Sequence, residues 1–216
     1  MGMTKHRLTL YVDTLWDSPW AMSAFVALTE KGVDFEVREV NLQKQEHFTP
    51  AYPSRTRRVP MLEADTFQLA ESSAIAEYLE ELFPPPQFES LLPKKLTQRA
   101  TCREVMAWMR SDFMPLRKER PTSSLFFEKP VNQPMSPEAA AHMDRFLRGA
   151  DSLIDENRLT LFDHWCLADT DLAVMIQRLN LNGTTVAPKL KAFAEAQWNR
   201  PSVKHWRDHA RPAYPG

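Results

Sequence analysis

A change of pattern at a proline-rich stretch constrains the fold of this chain most strongly. Residues 84–93 read PPPQFESLLP. Prolines remove backbone donors and restrict the residues before them, so this stretch cannot be helical throughout and is predicted to be a linker. Strand and helix patterns alternate before it, whereas only helical periodicity follows it. We therefore predict a first domain over residues 1–83 and an all-α domain over residues 94–216.

The first domain begins with a strand, a helix and a second strand. RLTLYV (7–12) and DFEVREV (34–40) have the alternation and the β-branched or aromatic content of strands. Between them, Ser18 suits a helix N-cap, Pro19 the first helical position, and Gly32 the C-terminal stop. Two strands separated by a helix predict a parallel pair with a right-handed crossover.

The stretch TRRVPMLEADTFQLAESSAIAEYLEEL (56–82) predicts a hairpin followed by a helix. Two short apolar runs flank a polar turn, and Pro60 stands at the entrance of the first run. A proline cannot donate a ladder hydrogen bond, so it is confined to an edge or to the start of a strand. Glu71 and Ser72 then open a run with apolar residues at helical spacing. With an irregular segment before the hairpin, the order is β-α-β-(irregular)-β-β-α.

The second domain is predicted to contain four to six helices. Apolar residues recur at helical spacing in each of its well-patterned segments, and the last of them supplies a final turn or two. These segments are LTQRATCREVMAWMRSDFMPL (96–116), AAHMDRFLRGADSLIDENRL (140–159), DTDLAVMIQRLNL (169–181), PKLKAFAEAQWNR (188–200) and RPSVKHWRDHA (200–210).

Composition excludes several classes of partner. The 216-residue chain has a formal net charge of −1, which gives no reason to expect nucleic acid or an anionic membrane. No window approaches the roughly 18 apolar residues of a membrane span, and the first apolar run is too short and broken for a signal peptide. Cys102 and Cys166 lie far apart, which predicts free thiols in a reducing cytoplasm. The histidines have no metal-type spacing, so no metal site is assigned.

Taken in order, these motifs resemble a cytosolic glutathione transferase over essentially the whole chain. They are Val-Pro at the third strand, Glu-Ser at the next helix, the proline-rich linker and LADTDLA (167–173) in an all-α second domain. SPW, TRRVP, ESSAIAEYLE, WMRSD and CLADTDLA are most similar to the bacterial serine-type members. The resemblance implies a thioredoxin-like first domain, β-α-β-α-β-β-α, with a mixed four-stranded sheet.

The resemblance also implies a glutathione site in the first domain. The Val59-Pro60 bond would be cis, and the backbone of Val59 would pair with the peptide as an added strand does. The helix start at Ser72 would receive the γ-glutamyl carboxylate, because its free N–H groups and positive dipole end attract anions. Glu71 would hold the α-amino group. Arg58, with its neighbour Arg57, either contacts the glycyl carboxylate or guards a solvated strand edge.

Ser18 is the predicted catalytic residue. As a local pattern it is an N-cap, but in the family the thiol-activating hydroxyl stands at this junction of first strand and first helix. Tyr11 offers a competing hydroxyl within the strand, where packing in the core is the simpler role.

Three residues of the second domain are assigned by the same resemblance. Trp108 and Arg110 would line the co-substrate pocket, although Trp108 fits a core position equally well and Arg110 a subunit contact. Asp169 would cap the LADTDLA helix by accepting from the backbone N–H of the cap residue. Cys166 stands where the family has serine or threonine, and a thiol is a weaker acceptor.

The favoured function is transfer of the glutathione thiolate to a small, mainly apolar electrophile. Glutathione would be a substrate, no tightly bound cofactor is expected, and reduction of peroxides or disulfides is a further activity. The resemblance implies a homodimer. A non-catalytic ligand-binding or protein-interaction module of the same fold is the alternative. A dithiol or monothiol oxidoreductase would need a nucleophilic cysteine at the first helix start, where this chain has Ser18.

Overall fold

A computed structural model describes residues 6–214, and its strands all lie in the first part of the chain. This part begins with β1 (Leu8–Asp13), α1 (Pro19–Lys31) and β2 (Glu36–Val40), and continues with β3 (Met61–Ala64), β4 (Phe67–Ala70) and α2 (Ser72–Leu82). The sheet order is β2-β1-β3-β4. β1 is parallel to β2 and antiparallel to β3, and β3 is antiparallel to β4. The predicted mixed four-stranded sheet is confirmed.

The first helix has the ends that its sequence predicts. Ser18 is the N-cap, and its side chain accepts a hydrogen bond from the N–H of Ala21. Gly32 ends the helix at φ +64°, in the left-handed region where glycine has no Cβ penalty. The helix is buried around its whole circumference over residues 21–28, each of which is at most 3% exposed.

The stretch between β2 and β3 is irregular apart from one short 3-10 turn at Glu46–Phe48. This turn stands where the family pattern has a helix between the second and third strands. The buried ring of Tyr52 anchors the stretch to a cluster with Tyr11, Val40 and Met61. The irregular segment therefore has a core contact of its own although it lacks regular secondary structure.

The remaining helices form the second part of the chain. They are α3 (Leu96–Ser111), α4 (Met114–Glu119), α5 (Ser123–Phe126), α6 (Pro137–Leu153), α7 (Leu167–Asn180), α8 (Pro188–Trp198) and α9 (Pro201–Arg207). The helical prediction is confirmed, but the prediction of four to six helices is corrected to seven helical segments among the described residues of this part. The short α4 and α5 were missed because four to six residues are too few to establish a helical period.

Asp169 has the predicted structural role at the start of α7. Its carboxylate accepts from the N–H of Cys166 at 2.7 Å and from the N–H of Leu161 at 2.6 Å. Burial raises the pKa of Asp169 to about 6, although these hydrogen bonds act in the opposite direction. The backbone N–H of Asp169 bonds to the carbonyl of Cys166 at 3.0 Å. The helix start is therefore capped mainly from the aspartate side.

The chain divides into two compact units at residue 91. The first unit takes in the described residues up to Leu91 together with those from Asp208 onward, and the second unit is Leu92–Arg207. The predicted second domain extended to residue 216, so the placement of residues 208–214 in the first unit differs from that prediction. The reason is a set of contacts with Trp16, which are described below. In the described chain, residues 6–214, no helix is both long and apolar enough to cross a membrane.

Candidate active site

The strand register brings three predicted site segments to one end of the sheet. Tyr11 of β1 pairs with Met61 of β3, and Met61 pairs with Ala70 of β4. Because β3 is antiparallel to both neighbours, the ends of β1 and β4 lie beside the start of β3. The turn to Ser18, the Val59-Pro60 bend and the Glu71-Ser72 helix start therefore emerge at the same end.

Ser18 presents its hydroxyl from the first turn of α1. Its Oγ accepts from the N–H of Ala21 at 3.3 Å, and the side chain is half-buried. A hydroxyl has one donor and two acceptor positions, so this cap leaves the O–H proton available to an anion. The capping role and the catalytic role predicted for Ser18 are compatible.

The turn before Ser18 is organised by the buried carboxylate of Asp13. One oxygen of Asp13 accepts from the N–H of Asp17 at 3.0 Å, and the other from the N–H of Ser18 at 3.2 Å. The N–H of Trp16 bonds to the carbonyl of Asp13 at 3.1 Å. Trp16 itself has φ +51°, in the left-handed region that residues with a Cβ adopt rarely. The sequence pattern does not reveal this role of Asp13, although Asp13 and Asp17 flank the turn at a spacing of four.

Asp13 and Asp17 form a carboxyl pair at this turn. The pKa of Asp17 is raised to about 7 by burial, by the charge of Asp13 and by a hydrogen bond between the two carboxyl groups. The positive charge of Arg211 acts in the opposite direction. Burial and the negative charge of Asp13 both disfavour the ionised form of Asp17, so this side chain holds its proton to a higher pH than an ordinary aspartate.

Replacing Asp17 with asparagine is expected to remove a pH-dependent part of the folding free energy. A folded-state pKa near 7, above the ordinary 3.8, means that the folded state binds a proton more tightly than the unfolded state. This stability is complete below pH 3.8 and is lost as pH rises to about 7. Because the side chain is partly exposed, we expect the wild type to lose only about 2 kcal/mol of stability relative to Asp17→Asn as pH rises from 4 to 7.

The measurement is the urea-unfolding free energy of both proteins between pH 4 and 8. The difference between them cancels the contributions of carboxylates that do not contact Asp17. It should change steadily between about pH 4 and 7, and a constant difference over this range would contradict the assigned titration.

The Val59-Pro60 bond is cis, as the resemblance implies. Pro60 is buried, whereas Val59 is half-buried and packs on the Tyr52 cluster. The hydroxyl of Tyr52 donates to the carbonyl of Arg58 at 2.6 Å, and burial raises the pKa of this phenol. The buried Tyr52 therefore holds the backbone that leads into the bend, through its hydrogen bond to the carbonyl of Arg58.

The two arginines before the bend have different surroundings. Arg57, at φ +54°, donates through one guanidinium nitrogen to the carbonyls of Thr49 and Tyr52 at 2.8 and 2.9 Å. The residue Arg58 is exposed. Arg57 therefore holds the loop through these two carbonyls. Arg58 is the better candidate of the two for the predicted contact with the glycyl carboxylate, because it is exposed.

Glu71 and Ser72 stand at the predicted helix start. Glu71 is the N-cap residue at φ +72°, makes no side-chain cap bond and is exposed. The first bond of α2 runs from the N–H of Ile75 to the carbonyl of Glu71 at 2.9 Å. Ser72 is 3% exposed in the first turn. A helix start of this kind offers N–H groups and a positive dipole end to an anion, as the sequence analysis predicts.

Tyr11, the competing hydroxyl, lies in the core. It is 8% exposed, packs edge-on against Tyr52 and receives a hydrogen bond from Arg38 at 3.2 Å. The alternative in which Tyr11 packs in the strand core is the one that these contacts favour.

The two co-substrate candidates have partners within the helical unit. Trp108 packs against Phe113 and Phe146, and a Cβ added at Gly149 would come within 2.4 Å of its ring. Arg110 forms an ion pair with the nearly buried Asp171. Trp108 is half-buried and Arg110 has a structural ion-pair partner, and a role of either residue in a pocket stays a prediction. Residues 6–214 contain no group of three or more histidine, cysteine or acidic side chains that could hold a metal ion.

Two family models match the chain. A glutathione S-transferase N-terminal domain matches residues 14–87, and a glutathione S-transferase C-terminal domain matches residues 95–210. Among solved structures, a glutathione transferase homologue from Burkholderia with bound glutathione is 44% identical. The match covers 94% of this chain and 97% of that one, with a TM-score of 0.80.

Curated relatives are more distant. The maleylacetoacetate isomerase of Dictyostelium discoideum is 32% identical over 121 residues, which are 53% of this chain and 52% of that protein. The glutathione S-transferase theta-3 of Mus musculus is 27% identical over 154 residues, which are 70% of this chain and 62% of that protein. The chain thus spans about half to three-fifths of the length of these curated relatives.

Proposed function

Because the chain belongs to the glutathione S-transferase family, we propose that it binds glutathione at the end of the sheet and transfers the thiolate to small, mainly apolar electrophiles. The observation that carries this proposal is the register that brings the Ser18 turn, the cis Val59-Pro60 bend and the Glu71-Ser72 helix start together. The 44% identical homologue with bound glutathione supports the choice of ligand.

Each end of the tripeptide has a partner of suitable chemistry. The backbone of Val59 would pair with the cysteinyl backbone as an added strand does. The α2 start at Ser72 would receive the γ-glutamyl carboxylate, while the exposed Glu71 would hold the α-amino group. The exposed Arg58 would contact the glycyl carboxylate. These contacts would leave the thiol facing the first turn of α1.

Ser18 would then act on the thiol as a hydrogen-bond donor. The thiolate, not the thiol, is the nucleophile, and it is favoured by a donor and by a helix N-terminus. Both are present at Ser18, because its O–H proton remains available as a donor and the residue stands at the N-terminus of α1. This proposal places the chain among the serine-type members of the family. Reduction of hydroperoxides or disulfides by the same thiolate would be a further activity.

A second candidate reaction is suggested by the names of the relatives. Several are maleylacetoacetate isomerases, and one from Ralstonia is a maleylpyruvate isomerase. A thiolate can add to the cis double bond, with the π electrons moving to the conjugated carbonyl oxygen. Rotation about the new single bond and loss of the thiolate then give the trans isomer and return glutathione. The same Ser18 would serve this reaction.

The rest of the protein's organisation is proposed from the family. The helical unit would supply the co-substrate contacts, with Trp108 and Arg110 as candidates, and the protein would work as a cytoplasmic homodimer. No tightly bound cofactor is expected. Sedimentation should give about twice the 25.0 kDa chain mass, and a monomer at working concentration would contradict the dimer.

The function is tested by binding and turnover with glutathione. Calorimetry should detect binding of both glutathione and S-methylglutathione, which lacks the free thiol. Turnover should require the free thiol and should appear in a panel of aromatic halides, hydroperoxides, mixed disulfides and maleylacetoacetate. Binding without turnover across the panel would favour the non-catalytic module, and no binding would overturn the proposed site.

A further inference from the structure

The chain after the helical unit returns to the turn that precedes Ser18. His209 stacks on Trp16 with ring centroids 3.5 Å apart and an interplanar angle of 15°. Two nitrogens of the Arg211 guanidinium, Nε and a terminal nitrogen, approach the carbonyl of Trp16 at 3.4 and 3.1 Å. The indole N–H of Trp16 donates to Glu39 at 2.7 Å. Trp16 is thus held on its ring face, at its indole nitrogen and at its carbonyl.

The same turn is held from inside the unit by Asp13. This carboxylate is 3% exposed and accepts from the N–H groups of Asp17 and Ser18. The two anchors act on successive parts of one short segment, because Arg211 fixes the carbonyl of Trp16 and Asp13 fixes the next two amides. The backbone of Ser18 is therefore constrained by residues nearly 200 positions apart in sequence.

We propose that Asp13 and Arg211 are positioning residues for Ser18, which together fix the turn that presents its hydroxyl to the glutathione thiol. The inference rests on the proposed function, since it assumes that Ser18 is the thiol donor. Neither residue touches the thiol, so both act through the backbone of the turn.

The turn has a conformation that needs such support. Trp16 lies at φ +51°, which the rest of the structure must over-determine for a residue with a Cβ. A hydrogen bond to a thiolate weakens steeply with distance and angle. A turn that relaxes by a fraction of an ångström would therefore raise the pKa of the bound thiol while leaving the peptide-binding contacts in place.

The test is Arg211→Ala, with Arg207→Ala as its matched control. Arg207 also donates to a tryptophan carbonyl, that of Trp198 at 3.0 Å, but it lies in the helical unit. The readout is the ultraviolet absorbance of the thiolate of bound glutathione against pH. We expect Arg211→Ala to raise the pKa of the bound glutathione thiol by about half to one unit. Because less of the thiol is then ionised, kcat/KM at neutral pH should fall about threefold. Glutathione affinity and the Arg207→Ala titration should not change.

Asp13→Asn gives a second test from the other side of the turn. An amide keeps one acceptor oxygen and puts an NH₂ group where the second acceptor was, so one backbone N–H loses its partner. We expect the same direction of change and a larger pKa increase than for Arg211→Ala. If this variant does not fold, the Arg211→Ala titration decides alone. An unchanged thiol titration in folded Arg211→Ala overturns the inference.

Repeating Arg211→Ala in a Ser18→Ala background separates the positioning role of Arg211 from the role of Ser18 as the thiol donor. If Arg211 acts through Ser18, the second substitution should add no further shift, because coupled residues are not additive. A full additional shift would overturn the inference while leaving Ser18 as the donor. If the thiol titration in Ser18→Ala alone equals that in the wild type, the proposed role of Ser18 is overturned, and the positioning role of Asp13 and Arg211 is overturned with it.

Discussion

Replacing Ser18 with alanine is expected to slow glutathione conjugation at neutral pH about 10- to 100-fold, with the fold intact. A free thiol with a pKa near 8.5 is only a few per cent thiolate at pH 7. Lowering this pKa by about two units requires roughly 2.7 kcal/mol of preference for the charged form. A hydrogen bond to a charged acceptor contributes about 1.5–3 kcal/mol, and a helix N-terminus about 0.3–1 kcal/mol. Ser18 is the larger of the two contributions.

If Ser18 were only a helix cap, Ser18→Ala would lower stability without changing the thiol titration. Ser136→Ala measures the effect of losing such a cap at another helix. Ser136 caps α6 with the same acceptor bond, Oγ to the N–H of Ala139 at 3.2 Å, and with a proline at the first helical position. Its hydroxyl also donates to Glu119 at 2.5 Å, so Ser136→Ala should lose somewhat more stability than a cap alone. Each serine-to-alanine change should cost about 1 kcal/mol of stability as a cap. Only Ser18→Ala should move the ultraviolet titration of bound glutathione toward that of the free peptide. If the titrations of the wild type and Ser18→Ala coincide, Ser18 is a cap and no more.

Glu71→Gln and Ser72→Ala are each expected to weaken glutathione binding about 10- to 100-fold. Each removes a charge-assisted or helix-terminal contact worth about 1.5–3 kcal/mol, and about 1.4 kcal/mol corresponds to tenfold in affinity. In the proposed site these contacts would hold the far end of the peptide and would be alike in ground and transition states. The KM for glutathione should therefore rise while kcat at saturation changes little.

Glu81→Gln is the control for the charge change at Glu71. Glu81 is exposed near the other end of the same helix, so its variant removes the same charge from the same element. Calorimetric titration of glutathione into all three variants and the wild type gives the affinities directly. Wild-type affinity in both Glu71→Gln and Ser72→Ala would place the γ-glutamyl group elsewhere.

Local signals in the sequence were sufficient for most of the fold. The cap at Ser18, the stop at Gly32 and the hairpin before Glu71 depend on a few neighbouring residues, so each could be predicted and each is present. The three segments of the site could be grouped only through the family resemblance, and the strand register now gives a physical reason for their meeting. The short helices α4 and α5 lacked enough residues to show a period.

The anchors of the Ser18 turn could not be predicted in the same way. Asp13 follows an apolar strand, and a single acidic residue there indicates nothing about which amides it will accept. Arg211 lies in a segment without periodicity, 195 positions from its partner Trp16. Long-range contacts of this kind depend on the tertiary path of the backbone. The same limit applies to Trp108, whose helical spacing fits a pocket position and a core position equally well.

The return of residues 208–214 to the first unit has a consequence for the order in which a nascent chain is completed. The ribosome makes all four strands early, but Arg211 is added only after the whole helical unit has been synthesised. We therefore expect translation products arrested before residue 211 to contain the complete sheet and a Ser18 turn that is held by Asp13 but lacks the contact of Arg211 with Trp16. The contribution that Arg211 makes to thiol activation would therefore arise only after the helical unit has been synthesised.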